Sequence, residues 1–141
     1  MTTNDIARLH KTCDCFIQPS SGEGWSIPTQ EAMLTGNPVI SSSNGGITDL
    51  LDQEEFQTYY RVHSSVEQAS QQTWIPWYTS DMKWKVIDED KLGEKMLEVF
   101  EDKKQSAKIA KKAKEWVTEC TSLQTVGESM RLRLEEIEKN L

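Results

Sequence analysis

The chain has 141 residues and a mass of 16.2 kDa, which is the size of one domain. It carries 16 lysine and arginine residues against 23 aspartate and glutamate residues, so its formal net charge is -7. This charge repels phosphate backbones and anionic lipid surfaces, so we expect no nucleic-acid partner. The sequence has no apolar run near the roughly 20 residues that a bilayer span requires and no signal-peptide pattern at its start, so we expect a soluble, cytoplasmic protein.

The first third of the sequence alternates between helix and strand signals. A helix is predicted over Thr2–Lys11, behind threonine and asparagine capping candidates, and a short buried strand over Cys13–Gln18. A polar glycine loop follows, and then a helix over Pro28–Thr35 that ends before Gly36. Pro38–Ile40 is a second buried strand. The order of strand, loop, helix and strand predicts a parallel sheet that binds a ligand at the carboxyl ends of its strands.

The middle of the chain has weaker patterns. Ile47–Asp52 is long enough for one helical turn, and Thr58–His63 has the β-branched and aromatic content of a third strand. Gln71–Trp84 is predicted to be a long tryptophan-rich loop that leads into a strand over Lys83–Ile87. We therefore divide a single α/β domain into a βαβ part, a loop with a strand, and C-terminal helices, over residues 1–63, 64–87 and 88–141.

The last third of the chain is predicted to be helical. Three helices are expected there. Asp88 can cap one that carries apolar residues from Leu92 to Phe100, Ala107–Val117 continues with apolar positions among lysines, and Ser122 can cap the last helix. The apolar residues of the last helix share one face and are Val126, Met130, Leu134, Ile137 and Leu141. This stripe needs a surface to lie against, which we expect in a domain that this chain does not contain. Three of its members are therefore predicted to be exposed in the isolated chain, namely Met130, Leu134 and Ile137.

Several residues that can form sites elsewhere have simpler explanations here. Cys13 and Cys15 alternate onto one face of the predicted strand with no histidine nearby, so we expect buried small side chains rather than a metal site. The acidic run at residues 88–90 opens a helix, where negative charge favours the helix dipole, and we expect no metal there. His10 and His63 are expected to be structural or exposed.

The start of the helix at Pro28 is the first candidate for a binding site. Ile27 cannot cap this helix, and Ser26 lies one residue too far out, so the first backbone amides lack an obvious partner. Gly22 and Gly24 allow a ligand to approach the preceding loop closely. Free amides at a helix start carry partial positive charge, so the pattern predicts a site for a phosphate group.

Two glutamates flank this predicted anion site. Glu23 lies in the loop and Glu31 in the early part of the helix, with seven residues between them, so both can border one pocket. Carboxylates repel a phosphate that touches them, but they accept hydrogen bonds well from hydroxyl groups on either side of it. A nucleoside diphosphate sugar has this arrangement, with hydroxyls on its ribose, phosphates in the middle and hydroxyls on the transferred sugar.

The sequence of residues 22–40, GEGWSIPTQEAMLTGNPVI, resembles the signature of retaining GT-B glycosyltransferases related to sucrose, glycogen and lipopolysaccharide glycosyl transferases. The shared features are two glutamates seven residues apart, an aromatic residue after the first Glu-Gly, a proline before the helix, Glu-Ala-Met and Gly-x-Pro-Val. They stand here as Glu23-Gly24-Trp25, Pro28, Glu31-Ala32-Met33 and Gly36-Asn37-Pro38-Val39. The preceding strand and the following Gly45-Gly46 loop also match. The resemblance implies the C-terminal part of a Rossmann-like donor-binding domain, without an acceptor-binding domain.

The resemblance also implies roles for the site residues. Glu31 would accept hydrogen bonds from the ribose hydroxyls, and Glu23, the candidate catalytic residue, would face the transferred sugar without acting as a nucleophile. The remaining donor-binding candidates, which contact sugar and diphosphate largely through their backbone, are Gly22, Gly24, Trp25, Ser26 and Ile27. The donor would be a nucleotide sugar, transferred with retention of configuration and without a metal or other cofactor.

Departures from the family pattern leave alternatives open. Trp25 stands where phenylalanine is usual and Asp49 where glutamate is common, and Arg8 and Lys11 are the only basic residues before Ser20 that could neutralise a diphosphate. The chain could instead be a non-catalytic nucleotide-sugar-binding module, completed by a missing N-terminal domain or by a partner chain. It could also keep the GT-B fold with the chemistry of a nucleotide-sugar epimerase. The acceptor, whether sugar, lipid or protein, and the donor nucleotide are not encoded in this pattern.

Overall fold

The computed structural model describes residues 2–68, 79 and 81–140 of the chain. Its elements alternate between helix and strand up to the end of the third strand and then continue as a hairpin and three helices. In chain order they are α1 (Thr3–Lys11), β1 (Phe16–Gln18), α2 (Ile27–Thr35), β2 (Val39–Ser41), α3 (Thr48–Leu51), β3 (Tyr60–Arg61), β4 (Ser64–Gln68), β5 (Lys83–Ile87), α4 (Glu89–Glu101), α5 (Lys103–Cys120) and α6 (Leu123–Lys139).

The central sheet is parallel and has the order β1-β2-β3. Phe16 pairs with Val39, and Ile40 pairs with Tyr60. This arrangement confirms the predicted α/β class, with a partial Rossmann-like parallel sheet followed by C-terminal helices. The predicted βαβ unit is β1-α2-β2, so the loop after β1 lies at the carboxyl edge of the sheet.

The first strand is shorter than the sequence predicts. The amide of Cys13 donates to the carbonyl of His10 over 3.1 Å, so Cys13 belongs to the turn that ends α1 and not to the strand. Cys13 is consequently exposed, and the prediction that it is buried is wrong, whereas Cys15 is half-buried. His10 is buried and packs edge-to-face on Phe16 with ring centroids 5.5 Å apart, which confirms a structural role.

The two faces of the sheet carry separate hydrophobic clusters, because successive strand residues point to opposite sides. Val39 belongs to the cluster that α2 and α3 cover, and Ile40 belongs to the cluster that α4 covers. Helix α5 contributes to both clusters, through Ala113 to the first and Ile109 to the second. The indole of Trp116 on α5 also donates to the carbonyl of Leu50 over 3.0 Å. Packing against α5 therefore fixes the position of α2 and α3 over the sheet.

Local capping signals set the ends of the helices. Asp88 and Ser122 accept hydrogen bonds from backbone amides three residues on, each over 3.0 Å, and both predicted caps are confirmed. Asp102 ends α4 and also caps α5, accepting from the amide of Gln105 over 2.8 Å. Because Asp102 serves both helices, it marks the boundary between the first two of the three predicted C-terminal helices.

The apolar face of α6 is open to solvent in the isolated chain. Met130 is 62% exposed, Leu134 is 65% exposed and Ile137 is 42% exposed. The prediction of an exposed stripe on the last helix is therefore confirmed. No helix in the described part of the chain has the length and the apolarity needed to cross a bilayer.

An antiparallel hairpin of β4 and β5 follows the parallel sheet. The sequence predicted β5 but not β4, which pairs Ser64 with Ile87 and Gln68 with Lys83. The β4 residues lack an alternation of apolar and polar side chains, so only the pairing with β5 defines this strand. The predicted tryptophan-rich loop falls mostly outside the described residues, and Trp84 lies half-buried in β5.

Burial predicts different outcomes for two methionines at helical positions. Met33 on α2 is fully buried in the first cluster, so Met33→Ala should lower the free energy of unfolding by about 2–5 kcal/mol. Met96 on α4 is exposed, and Met96→Ala should change it by less than about 0.5 kcal/mol. Urea unfolding monitored by circular dichroism measures both values. Similar losses for the two variants would contradict the assigned packing of α2.

Candidate functional site

Two loops meet at the carboxyl edge of the sheet, one after β1 and one after β2. The amide of Glu23 donates to the carbonyl of Asn44 over 2.9 Å, and Glu23 and Gly45 form an isolated parallel bridge. The hydroxyl of Ser42 donates to the carbonyl of Ser20 over 2.9 Å. Ligands bind at this edge in parallel α/β sheets, so the paired loops occupy the expected place for a site.

Gly45 and Gly46 allow the two loops to touch. Gly45 has φ +95°, and a Cβ atom there would lie 2.4 Å from the carbonyl oxygen of Glu23. A Cβ atom on Gly46 would lie 2.2 Å from the carbonyl oxygen of Gly24. Both distances are too short for any side chain, so the backbone contact requires glycine at these two positions.

Gly22 and Gly24 face open space. A Cβ atom built on either residue meets no other atom within 4 Å, and neither residue has a positive φ. Neither packing within the described chain nor backbone conformation therefore requires glycine here. A surface without side chains lets a ligand come close to the backbone, which agrees with the predicted role of these glycines.

Helix α2 begins at Ile27 without a side-chain cap. Ser26 is its N-cap residue, but it is buried in a left-handed conformation with φ 60°, and its Oγ bonds to Thr29 Oγ1 over 2.8 Å. The helix thus begins one residue earlier than predicted, and Ser26 lies at the capping position rather than beyond it. The prediction that no side chain caps the first amides is nevertheless confirmed, because the Ser26 hydroxyl bonds to a side chain.

The first turn of α2 leaves two backbone donors free of helical bonds. Gln30 makes the first intrahelical bond, from its amide to the carbonyl of Ser26 over 3.1 Å. Of the residues before it, Pro28 has no N–H, so the unused donors belong to Ile27 and Thr29. These N–H groups carry the partial positive charge of the helix start. Thr29 is fully buried, whereas Ile27 is exposed, so Ile27 is the residue of the two that an anionic ligand group can reach.

Two apolar side chains stand on the solvent side of this helix start. Trp25 is 39% exposed, and its Nε1 donates to Oε1 of Gln30 over 2.6 Å, so the indole is held against α2. Ile27 is 64% exposed. Exposed apolar side chains beside free polar groups form a surface that a ligand with both characters can cover.

The two glutamates differ in how the protein holds them. Glu23 is half-buried, and its carboxylate accepts from Nε2 of Gln18 over 3.1 Å and from the amide of Gly24 over 3.2 Å. Glu31 is also half-buried on α2, but among the described residues its carboxylate makes no hydrogen bond or ion pair. Glu23 is therefore fixed in direction, whereas Glu31 keeps its full capacity to accept hydrogen bonds.

A polar network behind the loop after β2 was not predicted. Ser43 has a left-handed backbone with φ 51°, and its Oγ donates to Oδ2 of Asp52 over 2.8 Å. The Tyr59 hydroxyl donates to the other oxygen of Asp52, and Arg61 forms an ion pair with Asp52 and a 2.7 Å hydrogen bond to Tyr59. The partners lie on a loop, a helix end and a strand, so no local sequence signal identifies them.

This network lowers the pKa of the Asp52 carboxyl below its ordinary value. Burial of the carboxyl favours the neutral form, but the hydrogen bonds from Tyr59, Ser43 and Arg61 together outweigh it. Burial and the bond to Asp52 raise the pKa of the Tyr59 hydroxyl, so Tyr59 stays a neutral donor. An ionised Asp52 therefore holds Ser43, next to the Gly45-Gly46 contact with the first loop.

Comparison with known proteins shows to which family this chain belongs. The profile of the glycosyl transferases group 1 family matches residues 1–73, just over half of the chain, and this region includes both loops and the whole of α2. The chain belongs to the glycosyl transferases group 1 family. An uncharacterized glycosyltransferase of Methanocaldococcus jannaschii is 37% identical to it over 49 residues. That match covers 35% of this chain and 13% of the archaeal protein. The resemblance to glycosyltransferases is thereby confirmed, while the role of each site residue in this group 1 domain stays a prediction.

Two glycines of the site should respond differently to alanine. Gly46→Ala places a Cβ atom against the Gly24 carbonyl and should lower the free energy of unfolding by about 1–3 kcal/mol. Gly24→Ala meets no atom and should change it by less than about 1 kcal/mol. Chemical denaturation of the two variants compares them directly. A larger loss for Gly24→Ala than for Gly46→Ala would refute the described loop contact.

The Asp52 network predicts a stability difference that depends on pH. A lowered folded-state pKa adds stability above the unfolded-state pKa of about 3.9 and loses it as the pH falls through the folded-state pKa. Asp52→Asn should lower the free energy of unfolding by about 1 kcal/mol at pH 7, a modest loss because the carboxylate is partly exposed. The difference in stability between the variant and the unsubstituted chain should become smaller below pH about 4. Urea unfolding between pH 7 and pH 2.5 measures this stability difference, and Glu55→Gln, at an exposed position, is the control. A gap that is constant with pH would contradict the charged network.

Proposed function

We propose that this chain provides the donor-binding part of a glycosyltransferase that uses a nucleotide sugar and retains the anomeric configuration. The observation that carries the proposal is the uncapped start of α2 beside the open backbone of Gly22 and Gly24. The diphosphate of the donor would lie at the start of α2 on the free amide of Ile27, which is exposed, whereas Thr29 is buried. With no Cβ at positions 22 and 24, the donor reaches the backbone of the loop.

The two glutamates would bind hydroxyl groups on opposite sides of the diphosphate. Glu31 has a carboxylate without a partner in the described residues, so it is available to both hydroxyls of the ribose. Glu23 would accept from a hydroxyl of the transferred sugar while Gln18 and the Gly24 amide hold it in place. Each oxygen of Glu23 keeps room for a further hydrogen bond, because a carboxylate oxygen accepts two.

The helix start would assist the reaction as well as binding. In sugar transfer the bond between the anomeric carbon and a phosphate oxygen breaks, and negative charge grows on the leaving diphosphate. The amides of α2 are fixed before the reaction, so they stabilise this growing charge more than the charge of the bound donor. In this proposal Glu23 positions the sugar and is not a covalent nucleophile.

Most of the acceptor site is proposed to come from a further domain or a partner chain. The described residues contain one parallel sheet, and both loops that form the candidate site belong to the donor side. The exposed apolar face of α6 supports this view, because such a face is normally covered. This chain alone is therefore expected to bind the donor without completing transfer.

Donor binding tests the proposed role of Glu31. Titration of the chain with UDP-glucose, GDP-mannose and related donors, followed by ligand-observed NMR, should detect at least one that binds. Glu31→Gln removes the charge that favours the ribose hydroxyls and should weaken binding of that donor about tenfold or more. Gly24→Ala should also weaken binding of that donor, with little effect on stability, because the added methyl group would stand in open space that the donor is proposed to fill.

Glu138→Gln is the matched control, since it makes the same change on an exposed face of α6. It should leave the dissociation constant unchanged. The proposal fails if no nucleotide sugar binds, or if Glu31→Gln and Glu138→Gln bind the donor equally well.

A further inference from the structure

Besides the candidate donor site, a polar cavity opens at the carboxyl edge of the sheet, beside the ends of β2 and β3. Its volume is about 340 Å³, at the lower end of the range for small-molecule sites. The loop after β2, helix α3, the end of β3 and the base of the hairpin form its walls. Its lining residues are Ser42, Ser43, Asn44, Thr48, Asp52, Arg61, Val62, His63, Ser64 and Lys85.

The charges that line this cavity favour an anion. Among the described residues that line it, Asp52 is the only acidic one, and the ion pair with Arg61 compensates its charge. Lys85 is exposed and has no ion pair within the described ranges, and His63 is exposed beside it. The chain as a whole is acidic, so this uncompensated positive charge is a local exception.

The neutral donors of the cavity are largely occupied by the protein. The hydroxyl of Ser42 donates to the Ser20 carbonyl, and the hydroxyl of Ser64 donates to Oδ1 of Asn44 over 3.2 Å. The Ser43 hydroxyl donates to Asp52. A neutral sugar would find few free donors among these hydroxyls, whereas the basic side chains remain available. The cavity is therefore better suited to a charged group than to an uncharged polyol.

Asn44 connects the cavity to the candidate donor site. Its side chain lines the cavity, and its carbonyl accepts the amide of Glu23 over 2.9 Å. The loop that carries Glu23 and the cavity are therefore in contact through one residue. A ligand in the cavity would therefore lie next to the loop that is proposed to hold the transferred sugar.

We propose that this cavity binds an anionic group, a phosphate or a carboxylate, of a second ligand that is bound next to the donor, and that this ligand is the acceptor. The assignment as acceptor rests on the proposed function, whereas the anion site rests on the cavity alone. Lys85 is the principal binding residue, with His63 beside it. The ion pair between Arg61 and Asp52 forms one wall of the cavity.

Lys83 supplies a matched control for Lys85. The two lysines lie two residues apart on β5, so they share one face of the hairpin, and both are exposed, but only Lys85 lines the cavity. The probes are inorganic phosphate, glucose 1-phosphate, glucuronate and, as a neutral reference, glucose. Amide chemical shifts of the ¹⁵N-labelled chain report binding at Ser64 and Lys85.

At least one anionic probe should bind and shift these amides, while glucose should not. Lys85→Ala should weaken its binding about tenfold, Lys83→Ala by less than twofold, and Lys85→Arg should retain it, because arginine preserves the charge. Binding by phosphate or by glucuronate alone identifies the preferred group. Absence of binding by all three anions, or equal losses for the two alanine variants, would overturn the proposal.

The same titration separates the cavity from the donor site. Glu31→Gln should leave anion binding in the cavity unchanged, so this experiment tests the anion site independently of the role proposed for Glu31. A saturating nucleotide sugar should leave the anion bound, because the two ligands occupy neighbouring places. Competitive displacement of the anion by the nucleotide sugar would assign the cavity to the donor diphosphate and overturn the second-ligand proposal.

Discussion

The contact between the two loops at the carboxyl edge of the sheet determines the rest of the site. The bond from the Glu23 amide to the Asn44 carbonyl fixes where the first loop runs, and the glycines at 45 and 46 make that approach possible. The first loop leads directly into α2, so the same contact places the free amides of that helix. It also places the Glu23 carboxylate and one wall of the basic cavity.

The two hydrophobic clusters support the carboxyl edge of the sheet. Helix α2 is buried along Ala32 and Met33 against α5, and α3 is bound to α5 through the Trp116 indole. The Asp52 network fixes the loop after β2 from the other side, through the left-handed Ser43. Apolar burial thus supplies the stability, while a few directed hydrogen bonds set the positions of the loops.

Local sequence signals predicted the helices and the parallel strands well. The caps Asp88 and Ser122 and the glycine at the end of α2 act within a few residues of themselves, so their effect can be read from the sequence. Strand β4 was missed because its pairing with β5 joins segments separated in sequence. The Asp52 network and the basic cavity were missed for the same reason, since their members come together only in the folded sheet.

The side chain of Ser26 has a consequence for the coupling of folding and binding. Its hydroxyl bonds to Thr29 instead of to the backbone, so α2 forgoes a cap that is typically worth about 1 kcal/mol. Its left-handed conformation costs about another 1–2 kcal/mol. An anion at the start of α2, on the free amide of Ile27, would take over part of the role of the missing cap, so the bound ligand would act as a structural part of the helix.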